Sequence, residues 1–221
     1  MESRLLPATF TVTDTSDDIN DTGSLRHAIT QSNLTGPGPN TINFNIPGAG
    51  VKTIAPLSAL PVITNPVIID GTSQPGFTSS PLIELDGQSA GTGSYGLAIT
   101  AGGSTVEGLV INRFSESGIV IEGGGGNSIV GNLIGTDSSG LQASGNSGVG
   151  VFIFDSPNNT VGGTVTGARN IISGNSAFGI DIYGSTATGN VVQGNYIGTD
   201  KTGEQEVANS GAGIEIDQQA S

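Results

Sequence analysis

Gly131-Asn132-Leu133-Ile134-Gly135-Thr136-Asp137 returns 63 residues later as Gly194-Asn195-Tyr196-Ile197-Gly198-Thr199-Asp200. Two shorter repeats surround this near copy. A glycine followed by apolar, any and apolar residues starts at Gly96, Gly118, Gly150, Gly179 and Gly213, in steps of 22, 32, 29 and 34. An asparagine followed two residues later by Ile or Val starts at Asn127, Asn159 and Asn190, in steps of 32 and 31. An Asn-Ser pair precedes three of the glycine strands, at Asn146, Asn175 and Asn209. The underlying unit is therefore roughly 31 residues long, and the 63-residue copy spans two units.

Gly179-Ile180-Asp181-Ile182-Tyr183 alternates apolar with other residues, the period of a half-buried β-strand. The same inward set recurs at one register, as when each turn of a coil lays its strands parallel on the last. Ile119 and Ile121, Val151 and Ile153, Ile180 and Ile182, and Ile214 and Ile216 then stack inside. Glycine and asparagine fall at the corners, where positive φ is needed, and the asparagine amides can form hydrogen-bonded ladders. Propeller blades of ~40–45 residues are too long for these units. The sequence thus predicts an all-β fold, a parallel β-helix or β-solenoid.

The first 95 residues repeat less well. Strands are predicted over 9–13, 41–46, 62–63, 67–69 and 82–85. One helix is predicted, with Ser24 as N-cap and Leu25, Ala28 and Ile29 on one face, plugging the N-terminal end of the coil. The chain divides into residues 1–7, a leader or linker remnant, and 8–221, a single β-helix domain. That domain comprises a cap region (8–50), less regular coils (51–95) and regular coils (96–221). Its sequence stops just after an apolar strand pattern without a capping element, which reads as a fragment of a longer protein. Residues 1–7 contain no apolar stretch of the kind that marks a secretory signal.

Composition narrows the function. The 221 residues include 37 glycines, which would melt the helices of a bundle, and the Val and Ile content excludes a disordered acidic tail. Formal charge is −13 with six Lys plus Arg, which argues against a nucleic-acid partner. Without cysteine there is no disulfide, thiolate nucleophile or Cys-based zinc site. No apolar run approaches the ~20 residues of a membrane-spanning helix.

The Gly-Ser-Leu-Arg-x-Ala-Ile segment at Gly23–Ile29, the turn at Ile69–Gly76 and the Gly-Asn-x-Ile-Gly-Thr-Asp coils resemble right-handed parallel β-helix repeat proteins of bacterial secreted and surface type. The resemblance covers residues 8–217. Glu2-Ser3-Arg4-Leu5-Leu6 also resembles a short box found after the signal region of some large exported proteins. It implies a right-handed coil, an extracellular or cell-surface location and a long multidomain parent. It implies no activity, because fold does not fix function.

One outward column of the glycine strands reads Ala98, Val120, Phe152, Asp181, Glu215, and the next reads Thr100, Glu122, Phe154, Tyr183, Asp217. Neighbouring rungs lie ~4.8 Å apart, so Asp181 falls beside Glu215 and Tyr183 beside Asp217. Such closely spaced carboxylates suit a retaining glycosidase or a Ca²⁺ ligand set, and Phe152, Phe154 and Tyr183 suit sugar stacking. The same carboxylates also read as solvated charges that discourage edge-to-edge pairing. Some β-helix enzymes acting on acidic polysaccharides use a Lys or Arg base. The corresponding residues here are Arg113, expected to point into the groove near Glu122, with Arg169, Lys52 and Lys201; Arg169 reads better as holding loop carbonyls. So few cations argue against a polyanionic substrate unless Ca²⁺ bridges.

From Asp18 the acidic loop matches the first half of a calcium-binding EF-hand loop, which makes Asp14, Asp18 and Asn20 metal candidates. The closing Glu is replaced by Ile29, so an acidic turn into the helix is the stronger reading. Asp137 and Asp200 read as side-chain-capped turns, and the lone His27 as a helix surface residue. Two function classes remain. One is an extracellular structural or interaction module, adhesive or glycan-binding in character, whose exposed last strand invites end-to-end self-association or further coils of the parent. The other is a carbohydrate-active enzyme (a polysaccharide hydrolase, lyase or epimerase) built on Asp181, Glu215 and Asp217.

Overall fold

The computed structural model describes residues 6–217; the first five residues of the predicted leader segment lie outside it. Apart from one α-helix and three single-turn 3₁₀ segments, the regular structure is β. Among the described residues, eighteen short strands fall into three sheets. The first stacks β1 (Thr9–Val12), β2 (Asn40–Phe44), β4 (Val67–Asp70), β7 (Thr105–Glu107), β10 (Ser128–Val130), β13 (Thr160–Gly162) and β16 (Val191–Gln193). The second stacks β3 (Lys52–Ile54), β5 (Ile83–Asp86), β8 (Leu109–Asn112), β11 (Leu133–Ile134), β14 (Ile171–Ile172) and β17 (Tyr196–Ile197). The third stacks β6 (Leu97–Ile99), β9 (Ile119–Glu122), β12 (Val151–Phe154), β15 (Ile180–Tyr183) and β18 (Ile214–Asp217). Every strand pair is parallel, so the chain visits the sheets in rotation, consistent with a β-solenoid.

Inward residues of all three sheets meet in one core. Val106, Ile129 and Val161 come from the first sheet, Ile111, Ile134 and Ile172 from the second, and Ile121, Ile153 and Ile182 from the third. The predicted inward pairs are buried through Ile182, whereas Ile214 and Ile216 on the last strand are 42% and 60% exposed. The helix α1 (Leu25–Leu34) has the predicted cap: Ser24 Oγ accepts the His27 N–H at 3.1 Å, and Leu25, Ala28 and Ile29 are buried in the same core.

Asparagine ladders lock the corners. Asn127 Nδ2 donates to Asn159 Oδ1 and Asn159 Nδ2 to Asn190 Oδ1, each at 2.9 Å. Asn132, Asn170 and Asn195 form a second column (3.1 and 2.9 Å), and Asn146, Asn175 and Asn209 a third (3.0 Å twice). Within each column the accepting oxygen also takes the backbone N–H of the preceding asparagine, so side chain and main chain are held by one group. Seven of these nine asparagines are buried, where an unpaired amide would be costly.

The 63-residue period has a structural cause. Leu133 pairs with Ile171 and Ile171 with Tyr196, offsets of 38 and 25 residues; Val151, Ile180 and Ile214 give 29 and 34. Each pair closes on 63 because long corner loops occur on alternate rungs. Those loops are closed by the bridges Thr136↔Ala143 and Thr199↔Glu206. They stack directly, with the Lys201 N–H donating to the Gly140 carbonyl at 2.8 Å.

Candidate functional site

The outer face of the third sheet carries the predicted columns in register. Phe152 pairs with Asp181 and Asp181 with Glu215; Phe154 pairs with Tyr183 and Tyr183 with Asp217. Since β12 and β15 alternate strictly, their buried Ile and Val residues force these side chains outward, and Phe152, Phe154, Asp181 and Tyr183 are half-buried. The three rings form a run, with centroids 6.0 Å apart between Phe152 and Phe154 and 5.7 Å between Phe154 and Tyr183. Burial pushes the Asp181 carboxyl above its ordinary value, and the charges of Glu215 and Asp217 push it further. Asp181 Oδ1 is buried without a hydrogen-bond partner.

At the N-terminal end of this face a hollow of about 300 Å³ is floored by Ala98, Val120 and Glu122 and walled by Leu60, Val62 and Tyr95. The predicted strand at 62–63 is reduced to one parallel bridge, Ile63↔Ile99, which lays the 59–63 segment beside β6. A single bridging residue carries no register in the sequence, so residues 62–63 read as a strand without indicating that they pack beside β6.

Arg113 does not point toward Glu122, which corrects the sequence expectation. It sits at φ 59° immediately after β8, and Nε and Nη2 reach the two Asp86 oxygens at 2.8 and 2.6 Å. The pairing of β5 with β8 sets Asp86 opposite Asn112, so this carboxylate is the nearest partner. Lys52 is buried, with Nζ donating to the Ala49 carbonyl at 3.0 Å. Arg169 holds a loop carbonyl as expected, donating from Nε to Gly194 at 3.0 Å, and its guanidinium lies 4.1 Å from the Tyr196 ring centroid.

The acidic loop is a series of capped turns. Asp14 Oδ1 accepts the Ser16 N–H at 2.9 Å, and Asp18 Oδ1 accepts the Asn20 N–H at 2.9 Å. Among the described residues, no three His, Asp or Glu side chains are grouped to hold a metal ion. Asp137 and Asp200 also cap turns. Desolvation acts to raise Asp137, but the Ser139 hydroxyl and the N–H groups of Gln142, Leu141 and Gly140 outweigh it and hold the carboxyl below its ordinary value. Asp200 is lowered chiefly by the Thr202 hydroxyl. His27 lies on α1 with Nδ1 2.8 Å from the Ile19 carbonyl oxygen.

A second concavity went unread in the sequence. It is an open groove of about 870 Å³ where the first sheet turns into the second, lined by Glu107, Val130, Leu133, Arg169, Ile171 and Lys201 among others. Val110, Leu133 and Ile171 form a small outer apolar cluster there, with Tyr196 packed against it. Among the described residues, no helix is long and apolar enough to cross a membrane. No protein-family model matches the chain, and neither does any curated protein.

Proposed function

We propose that the chain is a right-handed parallel β-helix segment of a bacterial secreted or cell-surface protein. In this reading it is a stiff interaction module that binds neutral glycan along the outer face of its third sheet. The right hand is supported by the strong preference of parallel β connections for right-handed crossovers, ~98% of cases. Residues 8–221 are read as one domain.

The run of half-buried rings Phe152, Phe154 and Tyr183 carries the glycan reading. Sugar rings stack on aromatic faces, and the adjoining carboxylates Asp181, Glu215 and Asp217 offer acceptors for their hydroxyls. A glycan array probed with the 221-residue chain tests this. Retention of neutral oligosaccharides, lost in Phe152→Ala and Tyr183→Ala, is the expected result; an array without retained sugars overturns it.

One observation favours an enzymatic alternative. A carboxyl raised by burial, one rung from a second carboxylate, is the arrangement of a general acid beside a nucleophile. New reducing ends released from a polysaccharide by the native chain, but not by Asp181→Asn or Glu215→Gln, would select that reading.

A further inference from the structure

The groove between the first and second sheets is a separate site from the aromatic face. It follows one corner over successive rungs: Glu107–Gly108 joins β7 to β8, Val130–Gly131 joins β10 to β11, and Gly167 to Arg169 precede β14. Consecutive rungs lie ~4.8 Å apart, so the groove runs along the stacking direction. Val130, Leu133 and Ile171 supply an aliphatic floor. The segment from Phe77 to Pro81 forms a wall. It is anchored through buried Gln74, whose side chain exchanges bonds of 2.9 and 2.8 Å with the Ile46 backbone. A volume of about 870 Å³ falls within the ~300–1,000 Å³ range of small-molecule sites.

The charges at one end are unusual for so acidic a chain. Arg26 is paired with Asp17, Arg113 with Asp86, and Lys52 is spent on a carbonyl. Arg169 and Lys201 have no carboxylate partner among the described residues, and both line this groove. Arg169 is already fixed by Tyr196 and the Gly194 carbonyl, a bond that uses one of its five N–H donors. Glu107, the one carboxylate among the described residues that lines the groove, belongs to the β7 rung, two rungs and hence ~10 Å from the rung of Arg169. We infer that the groove binds a small carboxylate with an aliphatic body, the carboxylate between Arg169 and Lys201 and the chain along Val130, Leu133 and Ile171.

Titration of the ¹⁵N-labelled 221-residue chain with sodium octanoate, octan-1-ol and sodium galacturonate tests both halves of the inference. Octanoate should shift the amide signals of Gly108, Gly131 and Gly167 saturably and bind more tightly than either other probe. Lys201→Gln, whose side chain holds no other part of the fold by a hydrogen bond, should weaken octanoate about tenfold, the loss expected for one charged hydrogen bond. Added salt should weaken it as well, and Arg169→Gln should act in the same direction. Octanol binding as tightly as octanoate, galacturonate binding more tightly, an unaffected Lys201→Gln variant, or no saturable shift at these glycines would each overturn the inference.

Discussion

Replacing Asn175 with alanine removes the middle of the third asparagine ladder. Asn175 is fully buried, and its Oδ1 accepts the backbone N–H of Asn146 at 3.3 Å and its side-chain N–H at 3.0 Å. Its Nδ2 donates to Asn209 Oδ1 and to the Ile134 carbonyl. After truncation Asn209 Oδ1 still receives the Asn175 backbone N–H, and the Ile134 carbonyl still receives Ser173. The Asn146 backbone N–H and the Nδ2 hydrogen aimed at Asn175 have no replacement, while Nδ2 keeps its other bond, to the Ile111 carbonyl at 3.2 Å. Each buried donor left unpaired costs about 1–3 kcal/mol, so the variant should lose about 2–6 kcal/mol. In a domain of this size that lowers Tm by roughly 4–24 °C. Asn190 accepts the equivalent two bonds from Asn159 and donates to the Ser156 and Ala187 carbonyls, but it is only half-buried at its ladder's end, so water can take its place and Asn190→Ala should cost clearly less than Asn175→Ala. Urea unfolding followed by far-UV circular dichroism measures both. If the two variants differed by less than ~0.5 kcal/mol, the ladders would not be a main source of cohesion between rungs.

Gly145→Ala places a Cβ into the Gly174 carbonyl oxygen on the next rung, and should cost at least the upper part of the ~1–3 kcal/mol typical of overpacking. Gly123→Ala meets open space and carries only the left-handed penalty of ~1–2 kcal/mol, so the two melting temperatures should separate clearly. Stability should pass through a maximum in mildly acidic solution. Asp181 and Glu107 titrate above their ordinary values, so stability rises as pH falls through their folded values, a gain complete near the unfolded value of ~4. Asp137 and Asp200 titrate below theirs, so their contribution is full above ~4 and is lost as pH falls further. Asp181→Asn should therefore raise Tm at neutral pH and leave it unchanged well below pH ~4. With Val191, Ile214 and Ile216 exposed on the last strands, the 221-residue chain should self-associate as its concentration rises, less so as Ile214→Ser/Ile216→Ser; a scattering mass independent of concentration would contradict this.

The parts of this molecule legible in its sequence are those where one requirement repeats on every rung. Inward Ile and Val must alternate in β9, β12 and β15, and a ladder asparagine must recur at each corner, so both stand out as periodic signals. The second sheet hides its pattern because β11 and β14 have two residues each, both apolar, one facing the core and one the groove. Lys52 obscured β3, since a lysine with its ammonium on a carbonyl looks in sequence like a loop residue. The Arg113–Asp86 pair joins residues 27 apart at the ends of adjacent strands, which only the register reveals. The outward carboxylate and aromatic columns were readable because they alternate with the core residues. The groove was not, because its lining comes from corners whose loop lengths differ from rung to rung.

The in-register stacking of parallel rungs is tested most directly by distances along one column. Thr9, Thr41, Ile68, Thr105, Ser128, Thr160 and Val191 follow one another in the first sheet. The chain has no cysteine, so spin labels can be placed at Thr9 together with Ser128, Thr160 or Val191 without background labelling. At ~4.8 Å per rung, pulsed electron–electron resonance should give backbone separations of about 19, 24 and 29 Å, narrow and evenly spaced. Distances that fail to rise by about one rung spacing from each pair to the next would contradict the parallel coil.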